Sequence, residues 1–330
     1  MILLALAMIG CGPAGYDTDT DATDTDDTDT APVDTGTPPD GLTCGDGVRG
    51  GAHEECDATD DADCPGTCSA HCQCPSMPPS TDLALHMIDV WQGDGLLVVS
   101  PEGFTMLCDT GDEPEYPSLK RHLRSTGVTA LDYTLVSHQH ADHMGAMDRV
   151  LEDHAEIGVA FDGGGRASSD AFADYRKATA GRRTTVVAGD TLDLGPSVQV
   201  DVLHSDVGDR DNENNNSVVI RITYGDVTFL IGGDCESEVC ESAIDPGPID
   251  VYKVHHHGSS DSTSRRLLRQ MEPALALIST GAGNDYGHPE DSTLDRLADV
   301  GAEVWRTDED GNVVVRSDGA NWTVTSDARP

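Results

Sequence analysis

Short apolar runs, each about one strand long, recur through residues 83–330. They read LALHMIDV (83–90), LLVVS (96–100), FTMLCDTGD (104–112), LDYTLVS (131–137), VQVDVLHS (198–205), SVVIRITY (217–224), VTFLIGG (227–233), DVYKV (250–254) and ALALIST (274–280). Polar, Gly-rich turns such as Gln92-Gly93-Asp94-Gly95 bound them, which predicts strands. Between them the apolar spacing changes to three and four. That predicts helices at SLKRHLRSTG, stopping at Gly127, and at 147–154, 236–243, 263–271 and 291–299. Strands and helices interleaved in this way make an α/β chain. Its expected architecture is an αββα sandwich, two sheets face to face with helices outside.

The preceding 82 residues carry no such periodicity and divide by composition. Residues 1–11 are apolar and end in Ile9-Gly10-Cys11, which resembles the lipobox of bacterial lipoproteins. Cys11 is therefore expected to carry lipid, with an ordinary cleaved signal or a free cysteine as the rival. Residues 12–42 hold the tract YDTDTDATDTDDTDTAPVDTGTPPD, whose like charges and lack of apolar residues predict an extended, disordered tether. Residues 43–75 contain Cys44, Cys56, Cys64, Cys68, Cys72 and Cys74 with almost no apolar core. Such a small disulfide-rich module needs cross-links and implies an oxidising compartment; its pairing is open, and a zinc knuckle is the rival. CGDGVRGGAHEECD resembles the start of a cysteine-rich repeat of extracellular myxobacterial proteins. Residues 76–82 form a Pro-rich linker, and residues 83–330 the main domain.

Charge narrows the substrates. The net charge is −40. Residues 1–82 hold 17 Asp and Glu against one Arg, leaving about −24 on residues 83–330. Long nucleic acid is not captured by such a surface, because phosphate binding needs clustered Lys and Arg. A phosphodiester is still admissible where metal ions supply positive charge. Aromatic residues make up 4% of the chain, so no stacking platform for bases is evident.

The strand LDYTLVS runs directly into HQHADHMG. His138 and His140, two residues apart on extended chain, point to one side and can grip one ion. Asp142 and His143 follow at a turn and can grip a second. This ligand mixture suits two divalent ions, Zn²⁺ first and Mn²⁺ as the alternative. Asp234 ends the strand FLIGGD, where a carboxylate can bridge both ions, and Asp109 ends LCDTG, where it can orient a ligand histidine. YKVHHHGSSDS supplies Lys253, His255, His256, His257 and Ser259; STGAGNDYGHP supplies Asn284 and His288. Which of these histidines ligates is open, with His256 and His288 carried as candidates and His204 as a tentative addition. Cys108 and Cys235 flank Asp109 and Asp234. They can pair with each other, or Cys235 can pair with Cys240; a thiolate ligand is the weaker alternative.

Together these motifs resemble the metallo-β-lactamase-fold domain of ComEC-type DNA-uptake proteins and secreted hydrolases similar to it. MIDVWQGDG, LCDTGD, SHQHADHMGA, NNNSVVIRITYGDVTFLIGGD, YKVHHHGSSDS, STGAGNDYGHP and WRTDEDGNVVV carry the resemblance across residues 83–317. It implies supporting contacts from Asp94, Asn216, Ser217 and Asn284, and a strand pair made by WRTDEDGNVVV. The loop before SVVIRI lacks a histidine, so an Asn, an Asp, water or His204 completes the first ion. No other stretch is apolar enough to span a bilayer. The resemblance therefore implies hydrolytic chemistry rather than DNA translocation.

The expected function is a metal-dependent hydrolase, secreted or tethered to the bacterial surface, that cleaves phosphodiesters. A water activated by two ions is the expected nucleophile. Asp142 or Asp234 takes the proton, and His257, Lys253 and Ser259 stabilise charge or protonate the leaving group. The substrate is a small-molecule or nucleic-acid-like phosphodiester, membrane contact is through lipid alone, and no protein partner is evident. A lactone, β-lactam or thioester hydrolase with the same metals is the alternative, as is a non-enzymatic binding module.

Overall fold

The computed structural model describes residues 68–69, 74–154, 157–165, 169–209 and 211–328. Cys11, Cys44, Cys56, Cys64 and Cys72 lie outside the described residues. Cys68 and Cys74 lie within them and are both disulfide-bonded.

Alternation along the strands builds two sheets. The first begins with β1 (Leu83–Met87), β2 (Gly95–Val99) and β3 (Thr105–Thr110), an antiparallel meander. It continues through β4 (Tyr133–Val136), β5 (Val159–Asp162) and β6 (Arg183–Thr185), all parallel to β3. The second holds β7 (Thr191–Asp193), β8 (Val198–His204), β9 (Val219–Tyr224) and β10 (Val227–Ile231), which are antiparallel neighbours. β11 (Val251–Lys253), β12 (Leu275–Ile278) and β13 (Glu303–Arg306) extend it in parallel. The chain then returns to the first sheet as β14 (Val313–Ser317), which pairs with β1, and β15 (Trp322–Ser326).

Successive residues on a strand face opposite sides, so each strand serves two cores. Leu96 and Val98 of β2, Met106 of β3, Ile220 and Ile222 of β9 and Phe229 of β10 pack between the sheets. Leu97 and Leu107 face outward instead, under α1 (Tyr116–Thr126), α2 (Ala141–Met144), α3 (Met147–Asp153) and α4 (Asp170–Ala178). On the far side Leu230, Tyr252 and Ile278 are covered by α5 (Cys240–Ala243), α6 (Arg265–Met271) and α7 (Asp291–Val300). The layers run helix, sheet, sheet, helix, as the hydrophobic pattern predicts.

Three details depart from that pattern. β6 is half-buried and polar, so with β5, β7 and α4 it escaped the apolar-run reading. The helix expected over 236–243 shrinks to α5. Cys235 and Cys240 are joined by a disulfide with Cα atoms 5.3 Å apart, whereas five residues of α-helix advance about 7.5 Å along the axis. This pairing also leaves Cys108 free and buried, so the Cys108–Cys235 alternative does not form. Finally, the two strands of WRTDEDGNVVV do not pair: β13 stays in the second sheet and β14 crosses to the first.

Candidate metal centre

The parallel strands end along one rim, and the centre is assembled from the residues that follow those ends. Ser137 to His143 follow β4, Gly232 to Asp234 follow β10, His255 to His257 follow β11, and Ser279 to His288 follow β12. Gly233 has φ +48, and a Cβ there would fall 2.5 Å from Ser137 Oγ. Only glycine lets the Asp234 turn close against the histidine motif. The loop after β1 joins in through Gly93, whose missing Cβ would lie 2.2 Å from the Asp142 carbonyl oxygen.

Two groups of ligand atoms, each within 4.8 Å of one another, meet at Asp234. One is His138, His140 and Asp234; the other is Asp142, His143, His257 and Asp234. Their internal contacts show what the space between them requires. His143 Nδ1 lies 2.9 Å from Asp109 Oδ2, so that nitrogen carries the hydrogen, and Nε2 turns a lone pair to Asp234 Oδ1 at 3.1 Å. His257 Nδ1 donates to the Ser279 carbonyl oxygen at 2.9 Å. Its Nε2 faces Asp142 Oδ2 at 3.4 Å and Asp234 Oδ1 at 3.5 Å. His143 Nε2, His257 Nε2 and Asp234 Oδ1 are buried without hydrogen-bond partners. Buried lone pairs that converge on one another need a cation or protons between them. Imidazoles and carboxylates in this number fit divalent metal.

In the absence of metal, protons fill that need. Burial lowers His257, but the carboxylates of Asp234, Asp142 and Asp94 outweigh it and push the imidazole up to about 9. The same balance, led by Asp234, holds His143 well above the ordinary histidine value. Asp234 resists burial because His143, His257 and His256 hold it well below the carboxylate range. His138 goes the other way: burial, helped by His143, pushes it well below, so it is neutral.

Metal ligation needs the unprotonated imidazole. Loading the metal-free protein at pH 7 is therefore expected to release at least one proton per chain, with the release from His257 ending above about pH 9. Calorimetry in buffers of different ionisation enthalpy measures this. A proton count of zero at pH 7 refutes it.

A supporting layer lies beneath. Asp109, at φ +58, accepts from Ser137 N at 2.8 Å and Ser137 Oγ at 2.6 Å while holding His143. Asp109→Asn is expected to weaken metal binding about tenfold to a hundredfold. A chelator competition titration reads this, and unchanged affinity excludes the orienting role. Asp94 lies 3.4 Å from His257 Nδ1 and forms an ion pair with Lys253. Burial raises Asp94, but Lys253 and His257 outweigh it and hold its carboxyl at about 2. Ser217 Oγ accepts from Asp234 N at 3.2 Å.

Several expected residues sit elsewhere. Lys253, expected beside the substrate, is completely buried against Asp94, so its ammonium steadies the supporting layer. Ser259 is buried in its loop, its hydroxyl accepting from Asp261 N at 3.3 Å. His204 is held by the Ser217 carbonyl oxygen at 2.9 Å and belongs to neither ligand group. Asn216 binds the backbone of Val207 and Asp209 and shapes that loop rather than touching a ligand. His256 approaches Asp234 at 3.6 Å, and the His288 ring lies 5.5 Å from the His256 ring; neither joins the ligand groups. Asn284 Nδ2 donates to the His288 carbonyl oxygen at 2.6 Å and so sets the loop that carries His288.

Sequence reasoning passed over Ser137, Glu236 and Glu241. Glu236 binds Asn212 at 2.6 Å and Asn214 at 2.8 Å and faces His256 at 3.6 Å. Glu241, fully buried, accepts from His255 at 3.1 Å. Of these, only Ser137, directly before the histidine motif, had a local signal.

The family model for the metallo-beta-lactamase superfamily matches residues 88–282. ComE operon protein 3 of Bacillus subtilis is 29% identical over 262 residues, covering 72% of this chain and 33% of that protein. Recombination protein 2 of Haemophilus influenzae is 31% identical over 235 residues, covering 69% of this chain and 28% of its own length. The matched region thus spans about a third of these relatives. Among solved structures, the metallo-beta-lactamase fold protein YhfI from Bacillus subtilis aligns with a TM-score of 0.49 and 15% identity, covering 72% of this chain and 99% of that one.

Proposed function

Since this chain belongs to the metallo-beta-lactamase superfamily, we propose that it is a metal-dependent phosphodiesterase that works outside the cytoplasm. The observation that carries the hydrolase reading is the convergence of buried, unpartnered His143 Nε2, His257 Nε2 and Asp234 Oδ1 on one space. The resemblance of its motifs to ComEC-type DNA-uptake proteins supports a phosphodiester over other substrates. The apolar start ending at Cys11, the Asp/Thr tract and the clustered cysteines support a lipid-tethered, extracytoplasmic setting. Among the described residues no helix is long and apolar enough to cross a membrane.

His138, His140 and Asp234 would hold one Zn²⁺ or Mn²⁺ ion, and Asp142, His143, His257 and Asp234 the other. Such a pair, when bound, supplies Lewis acidity and an activated water. The chain's own groups do the rest. Asp109 and the Ser279 carbonyl orient the imidazoles of His143 and His257. Asp142, whose side chain is 31% exposed, would take up the proton that hydrolysis releases on the open side. His256 and His288 lie beside the ligand groups, where their imidazole N–H groups can donate hydrogen bonds to phosphoryl oxygens. Burial of His143, His257 and Asp234 keeps bulk water from the inner side.

Metal analysis followed by a substrate panel tests the proposal. With Zn²⁺ or Mn²⁺, bis-p-nitrophenyl phosphate and short single-stranded DNA are the expected substrates. Hydrolysis of nitrocefin or a lactone alone overturns the phosphodiester reading. Failure to retain any transition metal overturns the hydrolase reading.

A further inference from the structure

Trp91 and Tyr286 remain exposed at the mouth of the centre in a chain poor in aromatic residues. Among the described residues they are the two aromatic members of the exposed large hydrophobic residues, at 45% and 69% exposure. Both are held in place by neighbouring structure. Trp91 has φ +57, a backbone that glycine takes freely and a bulky residue resists. Its indole Nε1 lies 3.4 Å from the Ala282 carbonyl oxygen. Beside it, Gln92 Oε1 accepts from Thr280 Oγ1 and from Gly281 N, both at 3.2 Å. Ser279 Oγ donates to the Gly93 carbonyl oxygen at 2.6 Å. The loop carrying Trp91 is thus stitched to the loop carrying Tyr286.

That second loop is wound on Asn284. Its Oδ1 accepts from Tyr286 N and His288 N, both at 3.1 Å, and its Nδ2 donates to the Gly281 carbonyl oxygen at 2.9 Å. The Tyr286 ring stacks on His288 at 5.7 Å and 22°, and His288 stacks towards His257 at 6.3 Å. Aromatic faces therefore lead stepwise from solvent to a metal-ligand candidate. Neither residues 88–95 nor residues 279–290 contain Lys or Arg. This rim cannot grip phosphate by charge, but it can grip a planar ring by its faces. A tryptophan held in this backbone and still 45% exposed beside the centre is an outlier of the kind that clusters at ligand sites.

We propose that Trp91 and Tyr286 form a base-stacking subsite, so that the substrate is a nucleoside phosphodiester held by a nucleobase beside the scissile phosphate. This rests on the phosphodiester reading above. Stacking suits any base because every base has a π-face, and bound metal ions would supply the positive charge for the phosphate that this rim lacks, which reconciles an acidic surface with a nucleotide substrate.

The test compares the zinc-loaded full chain on a thymidine pentanucleotide and on the same backbone with every base removed. The base-bearing strand is expected to be favoured about tenfold to a hundredfold in kcat/KM. Trp91→Gly combined with Tyr286→Ala should bring that ratio close to one, through KM, and Trp91→Phe should keep most of it. Circular dichroism checks the fold of each variant, while the wild-type ratio needs no variant at all. Equal cleavage of both strands by the wild type overturns the subsite and leaves the phosphodiester reading standing. Cleavage of neither overturns both. A base preference that survives in the folded double variant overturns the assignment to these two residues.

Discussion

Asp234→Asn is expected to lower hydrolysis by about a thousandfold, the several kcal/mol that correctly held metal contributes to a transition state. The same change should reduce bound metal from two ions per chain to one or none. Among the described residues Asp234 is the one shared by these two ligand groups, so its loss bears on both. Its carboxylate is also the largest upward influence on His143 and on His257. The variant should therefore hold fewer protons when metal-free and release fewer on loading. Elemental analysis, a rate assay on bis-p-nitrophenyl phosphate and circular dichroism together separate this from unfolding. Retention of two tightly bound ions would remove Asp234 from its bridging position.

The largest expected effect on stability comes from Lys253→Met. Lys253 and Asp94 are both fully buried and form an ion pair across 159 residues of chain. Removing the ammonium leaves Asp94 as a buried charge, which costs about 3–5 kcal/mol. For a domain of this size the melting temperature should fall by about 10 °C. Adding Asp94→Asn removes the orphaned charge and should restore most of the loss, which a mere cavity would not allow. Equal melting of the single and double variants would reject the ion-pair account. The pH dependence has a definite sign. Asp94 falls from an ordinary 3.8 to about 2 in the folded protein. Its contribution is complete above about pH 4 and disappears as pH falls towards 2.

Much of the architecture is legible in local order. Leu96, Leu97 and Val98 face alternate sides, and that alternation alone requires a second sheet on one face and helices on the other. β6 and β7 are not legible, because a three-residue strand at an edge or in polar surroundings needs neither alternation nor apolar residues. The helix at 236–243 was misread because its spacing is helical, yet a covalent link between Cys235 and Cys240 outweighs spacing.

The run of His255, His256 and His257 shows the limit most clearly. Three identical side chains in a row carry no sequence signal for their separate roles. Left-handed backbone at His256 and His257 (φ +51 and +53) turns the three apart. His255 goes to buried Glu241, His256 to the partly open Glu236 side, and His257 to Asp142 and Asp234. Lys253 was misplaced for a related reason: whether a lysine two residues from a histidine run faces substrate or core depends on strand register.

By itself the sequence determined the layered α/β fold and the ligand types, because alternation along a strand and the spacing of His138, His140, Asp142 and His143 act over a few residues. The tertiary structure decided the remainder: that Asp234 closes both ligand groups, that Lys253 steadies Asp94 from below, and that Trp91 and Tyr286 share one rim. Each of those joins residues far apart in the chain. Only the packing of two sheets, which brings the ends of β4, β10, β11 and β12 to one edge, sets the distances on which their chemistry depends.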